Sequence, residues 1–416
     1  MIPEVPSGLY LAEGLVIISI FSIELAGIIN LVLKKDKQLG LNGLVSANFG
    51  NYNRYNSNFS LNYNPGKFNV FGSYSLRQDE RLRYTDDYRE HFIPESDTIY
   101  YTHVVSKDLS RSLSHIVQLG GEYKINPNNT IGVTTSYNYR SFERNANDVN
   151  VWQNTHLDTT KYYDRSRVDP EFEKDLEFSA NYVHSFSKED HNLTIDYTTS
   201  NSNEQEDNHY TNTYYIPDIQ PTYDNTLIKQ SDRESQFSVE YSNPIMEDIT
   251  FEAGYLLEAS KNDMDFYGEY YDLFKLGWAK DTIKSNRFIY NQTIHVLYAT
   301  YGEKFGKLGI LGGLRAEETL ADANQVTTDT VIKNNYFRIY PSLHLSYQIS
   351  DLHELQLNYS HRVRRPEGDE MNPFPEWQDP YNLRMGNPYL KPADIHSIEF
   401  GYHYKKKTTS FLSTLC

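Results

Sequence analysis

The chain has 416 residues, enough for a large core or a multi-strand barrel. Asp and Glu number 56 against 39 Lys and Arg, a net charge of −17, which excludes the basic face that nucleic acid needs. The single Cys416 allows no internal disulfide, and no apolar run reaches the ~20 residues of a membrane helix.

The mean hydropathy of −0.66 would suit a soluble protein. The 36 Tyr and 20 Phe, beside only 5 Met, instead suit amphipathic strands with aromatic girdles. Composition alone leaves a Tyr-rich soluble β protein equally open. The first element along the chain is the apolar stretch at residues 15–25. It is too short to span and contains Glu24. No Lys or Arg precedes it and no small-residue cleavage site follows, so it is a poor signal peptide. A barrel protein must cross the inner membrane, so the true N-terminus is expected to lie outside this chain.

From Leu39 onward an alternating strand, a break and another alternating strand recur. Leu39, Leu41, Val45, Ala47 and Phe49 share one face, opposite Asn42, Ser46 and Asn48. The next strand sets Tyr55, Phe59, Leu61 and Tyr63 against Asn56, Asn58, Ser60 and Asn62. After a turn at residues 64–66, Phe68, Val70, Tyr74 and Leu76 oppose Asn69, Ser73 and Ser75. Strand side chains alternate, so each segment has one apolar and one polar face. The pattern returns at Ile131–Tyr139, Leu176–Tyr182, Leu193–Tyr197 and Phe237–Tyr241, and then at Ile249–Leu257, Ile339–Tyr347 and Leu355–Tyr359. The stretch 289–301 is apolar on both phases, and its faces stay unassigned. About fourteen strands are expected, each near the ~9–11 residues that cross a bilayer when tilted.

The connections decide between barrel and sandwich. Short breaks fall at residues 64–66, 125–129, 187–190, 243–248, 302–307 and 350–352. Long polar ones fall near 78–112, 141–175, 201–234, 259–286, 318–335 and 364–394. Short turns on one rim and long loops on the other are the pattern of an outer-membrane barrel. The predicted fold is therefore all-β: an antiparallel transmembrane β-barrel, apolar outside and polar within. Its partners are the lipid bilayer and lipopolysaccharide, and its place is the bacterial outer membrane.

Two segments carry a family resemblance. Residues 26–35 contain Gly27 and Asn30 in a Gly-x-Ile-Asn stretch. Further on, Arg365-Pro366 is followed by Asn372-Pro373-Phe374, and then by Gly386-Asn387-Pro388, with Lys391-Pro392 closing the motif. This resembles outer-membrane β-barrel family proteins within the TonB-dependent receptor superfamily. Asp394 stands where that group often has Glu, and residues 15–25 interrupt the usual approach to the first segment. The resemblance implies a barrel of twenty-two strands, an N-terminal plug and a segment that touches the TonB complex. On that reading residues 1–38 are a plug remnant and its junction with the barrel. Residues 39–416 are a barrel truncated before closure, not competent for transport as it stands.

No catalytic signature is present: no G-x-S-x-G, no H-E-x-x-H, no Cys pair and no phosphate-cradling Gly loop. The reading is of a non-enzyme that needs no cofactor and no metal. The His residues have no metal-ligand spacing, and solvated or hydrogen-bonding roles fit them better. Ligand contact is expected in the long connections. Residues 201–234 hold Tyr210, Tyr214, Tyr215 and Tyr223 among seven acidic residues. Trp152 and Trp377 fall in or near other long connections. Aromatic faces beside carboxylates can grip sugars or peptides, and carboxylate clusters can hold Ca²⁺; a solvated loop is the plain alternative. The expected function is TonB-dependent uptake of an oligosaccharide, peptide or metal chelate. A structural or passive barrel is the alternative, and a barrel enzyme a third.

Overall fold

A computed structural model describes residues 40–93, 98–246, 248–377, 383–406 and 409–415. The expected plug remnant, with Gly27 and Asn30, lies outside the described residues. The described residues are almost wholly strand. They open with β1 (Gly40–Gly50), β2 (Arg54–Asn64), β3 (Phe68–Ile93), β4 (Thr98–Asn126) and β5 (Asn129–Gln153). There follow β6 (Thr159–Ser185), β7 (Asn192–Ile216), β8 (Thr222–Met246), β9 (Ile249–Asp272) and the short β10 (Gly277–Lys280). Then come β11 (Asn286–Phe305), β12 (Leu308–Gln325), β13 (Thr330–Lys333), β14 (Tyr336–Ser350) and β15 (His353–Arg364). The one-turn helix α1 (Gly368–Met371) precedes β16 (Glu376–Trp377), β17 (Leu383–Arg384), β18 (Ala393–Lys406) and β19 (Thr409–Leu415).

Every pairing in the sheet is antiparallel and between near neighbours in sequence. The wall runs from β1 to β9 in order, then β11, β12, β14, β15, β18 and β19. The short β10 and β13 extend the outer ends of β9 and β12, making a sheet of 17 strands. Among the described residues β1 and β19 do not pair with each other, so the sheet is open.

Alternation fixes the faces. Phe59, Leu61, Val70, Tyr74, Ile131 and Phe178 all point outward and are exposed. The opposite phase carries polar side chains that bond along the inner surface. The Asn58 amide donates to Ser75 Oγ at 3.2 Å, and the Asn62 amide to Asn69 Oδ1 at 2.9 Å. Outward histidines sit beside tyrosines: Tyr74 with His115 at 2.8 Å, Tyr255 with His295 at 2.8 Å, and Tyr359 with His396 at 3.0 Å. At one rim the turns are tight. Asn64 Oδ1 accepts the Gly66 N–H at 3.1 Å, and Gly66 takes φ +120°, a conformation that glycine adopts without strain.

The structure changes two readings of the sequence. The predicted long polar loops are mostly strand: β4 alone has 29 residues, far beyond the ~9–11 that cross a bilayer. The hairpins climb past the membrane into water, where both faces turn polar and alternation fades. The tips that remain at that rim are short, as at residues 154–158 and 273–276. Among the described residues only the connection from β15 to β18 stays long. Strand β11 is the second case. Its even phase, with Phe288, Tyr290, Ile294 and Val296, is buried inward, while Leu297 and Tyr301 face out.

The ladder lapses between β14 and β15. It runs from Ser350/His353 up to Ser342/Ser360 and stops there, although both strands continue. Pro341, the next residue of β14, has no N–H to donate. Side chains fill the place: the Tyr340 ring meets His361 edge-on at 5.0 Å, and Arg338 pairs with Asp394.

Two outcomes are expected from this architecture. Leu61→Arg, on the lipid face, should cost about 2–4 kcal/mol in a vesicle refolding titration, and Asn62→Arg little. Equal costs would reject the assignment of faces. Protease added to intact cells should cut at residues 273–276, where Phe274 is 99% exposed, and spare the turn at 64–66. Cleavage at that turn alone would invert the topology.

Candidate functional site

The outer extensions of β3 to β9 enclose a lumenal cavity of about 1160 Å³. Strand alternation brings the inward phase of β5, β6 and β7 into it, and the ends of β8 and β9 add neighbouring residues such as Tyr223 and Tyr271. Strand β6 supplies Tyr163, Arg165 and Arg167, and β7 supplies Glu206, Asn208 and Tyr210. Trp152 of β5 and Tyr270 of β9 add aromatic surface, as does Phe374 from beyond α1.

The charged groups are already held. The Arg165 guanidinium donates to both Asp224 oxygens, at 2.9 and 2.8 Å, and to Asn212 Oδ1 at 2.8 Å. It also lies over the Tyr210 ring at 3.9 Å. Arg167 donates to Asn208 Oδ1 at 2.8 Å and to Asp169 Oδ2 at 2.6 Å. Bidentate and charge-assisted bonds of this kind fix both geometry and orientation. The Lys161 ammonium stands over Trp152 at 4.8 Å, Tyr163 at 4.6 Å and Tyr214 at 5.6 Å, a cation among three aromatic faces.

A carboxylate cluster adjoins the cavity through Glu206. Glu171, Glu204 and Glu206 bring oxygens within 4.8 Å of one another. Arg140 sits among them, donating to Glu171 at 2.6 Å, Glu173 at 2.5 Å and Glu204 at 3.5 Å. The positive charge here is therefore supplied by a guanidinium. On β6 the outward apolar residues Phe178 and Leu176 give way to exposed Lys174, so Glu171 stands above the bilayer. Burial pushes its carboxyl up to about 7; Arg140 opposes that rise, while Glu206 and Glu204 add to it.

Of the residues predicted for ligand contact, Trp152, Tyr210 and Tyr223 line the cavity. Tyr214 stacks behind Tyr163 at 5.3 Å. Tyr215 does not belong with them: it is on the outward phase of β7, 46% exposed, with its hydroxyl donating to Asp164 at 3.1 Å. Adjacent strand residues face opposite ways, and a cluster of tyrosines in sequence is split by the wall. Trp377 is in β16, and its side chain is outside the described set. Tyr163, Arg165 and Arg167 were missed. A signal existed: from 163 to 175 every second residue of β6 is charged or aromatic, which marks one inward column.

The motif segment folds into the lumen. Arg365 pairs with Glu317, which is 2% exposed and also held by Arg315. Asn372 is buried, its Oδ1 accepting the Phe374 N–H at 3.1 Å beside Pro373. The Gly386 N–H donates to Asn372 O at 2.7 Å, and the Asn387 N–H to Glu370 O at 2.7 Å. Pro388 and Pro392 are buried, Pro366 is half-buried and Lys391 is exposed.

No curated protein matches the chain in sequence. In fold it is similar to the siderophore receptor PiuA from Acinetobacter baumannii, at 12% identity and a TM-score of 0.53, over 89% of this chain and 55% of that one. It is also similar to the ferric citrate transporter FecA, at 11% identity and a TM-score of 0.44, over 88% of this chain and 50% of that one. The chain thus spans about half the length of either. Residues 184–415, more than half of the chain, match the outer membrane protein beta-barrel family. The chain belongs to the outer membrane protein beta-barrel family, and its place is the bacterial outer membrane.

Proposed function

We propose that this wall is part of a receptor that binds a ligand in its lumen and takes it inward with energy from TonB. The observation that carries the proposal is the cavity of about 1160 Å³, lined by aromatic faces and by charged groups already locked in place. That volume is at the upper end for small-ligand pockets, and the lining mixes aromatic faces with many charged and polar groups. Tyr163, Tyr210 and Tyr270 offer flat surfaces, and Asp148, Asn150 and Thr226 offer polar atoms between them. This combination suits polar ligands that carry ring-shaped or flat apolar faces: oligosaccharides, peptides or metal chelates. The reading is of a receptor and not of an enzyme. Lipid and lipopolysaccharide surround the outer face, and TonB acts from the other side of the membrane.

The test is binding and uptake by the full-length protein, with maltohexaose, tri-alanine and ferric citrate as probes. Calorimetry should find that one class binds, and Tyr163→Ala should weaken it at least tenfold, about 1.4 kcal/mol. Tyr215→Ala, on the outer face, should leave affinity unchanged. Uptake should stop in cells that lack TonB. Uptake that persists without TonB would make the protein a passive barrel instead, and equal effects of the two tyrosine variants would reject the cavity as the site.

A further inference from the structure

The segment between β15 and β18 is built unlike a surface loop. Its two described arms, residues 366–375 and 384–391, turn inward and pack on the β9–β12 side of the wall. Met371 is 1% exposed and joins Phe288, Tyr290, Ala321 and Ala323 in one buried cluster, with Leu390 packed against it. Gly368 lies on Tyr290 and Asn262, so near that an added Cβ would stand 3.6 and 3.5 Å from them. The Asn334 amide donates to Leu390 O at 3.1 Å, which ties the second arm to the wall.

The arms are also locked to each other. Two backbone bonds join them, from Gly386 to Asn372 and from Asn387 to Glu370, both 2.7 Å. They approach so closely at Gly386 that a Cβ there would lie 2.4 Å from Glu370 O, 2.6 Å from Asn372 O and 2.7 Å from Asp369 O. All three are backbone atoms, so even alanine forces the arms apart. Glu367 and Glu370 cap the short helix reciprocally, and Arg384 pairs with Asp369. At the root, the Arg365–Glu317 pair is buried in the lumen. On the far side Asn372, Phe374 and Pro375 reach the ligand cavity.

We propose that this segment is a fixed interior shelf that presents Phe374 to the ligand and so helps to set which ligand the cavity accepts. Met371, Gly386, Arg365 and Glu317 are positioning residues; Phe374 is the specificity-determining one. The specificity role rests on the receptor reading given above; the shelf itself does not.

Thiol labelling of the full-length protein in intact cells tests both, in a Cys416→Ser background. Phe374→Cys should react with a small charged methanethiosulfonate that enters the cavity. Met371→Cys, three residues away and 1% exposed inside the cluster that the shelf covers, should be protected. Adding Gly386→Ala should raise its labelling rate to that of Phe274→Cys at an outer tip. Adding Gly312→Ala, where a Cβ meets nothing within 4 Å, should not. If Met371→Cys itself disturbs folding, Ala321→Cys, 4% exposed in the same cluster, gives the same comparison. Labelling of Met371→Cys or Ala321→Cys as fast as the tip, without Gly386→Ala, overturns the shelf. Maltohexaose, tri-alanine and ferric citrate then serve as protectants of Phe374→Cys. Protection by one, with its affinity lost in Phe374→Ala and kept in Phe374→Tyr, supports the specificity role. Protection by none, with the labelling pattern as expected, removes the specificity role and leaves the shelf.

Discussion

In hydrocarbon a backbone N–H or C=O has no water to bond, and each one left unpaired costs several kcal/mol. That penalty shapes the whole wall. It demands continuous ladders, and these are cheapest between strands adjacent in sequence; hence the wall runs in chain order, with the short β10 and β13 as side extensions. Once formed, a ladder has no reason to stop at the membrane surface. The hairpins climb on into water, and the cavity is built on that extension. Where the ladder lapses, at Pro341, aromatic and ionic side chains cover the break.

The lumen divides into two unlike halves. Along β5 to β8, arginines and carboxylates alternate inward, and Arg140, Arg165 and Arg167 each engage more than one acceptor. Charges taken from water need such partners, because desolvation costs several kcal/mol per ion. Along β9 to β12 two apolar clusters stand among the inward residues, and the shelf covers the one around Phe288 and Tyr290. On β12 the buried Glu317 is held by both Arg315 and Arg365. Removing one partner of a buried pair costs about 3–5 kcal/mol, because the other charge stays behind uncompensated. Such a pair gives register to the segment it roots, more than net stability.

The lipid-facing half of the fold was legible because there the two faces of a strand meet different solvents. Phe59, Leu61 and Val70 had to be apolar and Asn58 and Ser60 could not be, so a period of two stood out. Above the bilayer both faces meet water, and hairpins such as β6–β7 read as loops. Strand β11 failed for the opposite reason. Its outward face meets lipid and its inward face meets Met371, so both phases are apolar and periodicity vanishes. Tyr215 was misplaced because a cluster in sequence says nothing about which neighbour faces in.

The family motif deserves a separate cause, since it was legible only as a likeness. Each residue answers to an internal demand. Arg365 must meet a buried carboxylate, Gly386 must admit three carbonyls, and Asn372 and Asn387 must cap tight turns through their side chains. None of these demands refers to a ligand. The cavity residues Tyr163, Arg165 and Tyr210 answer to one another and to whatever fills the space between them. A chain can therefore keep the motif while its cavity is remade. The motif identifies the architecture, and apart from Phe374 on the shelf the residues that would name the ligand lie on strands where no fixed pattern is required.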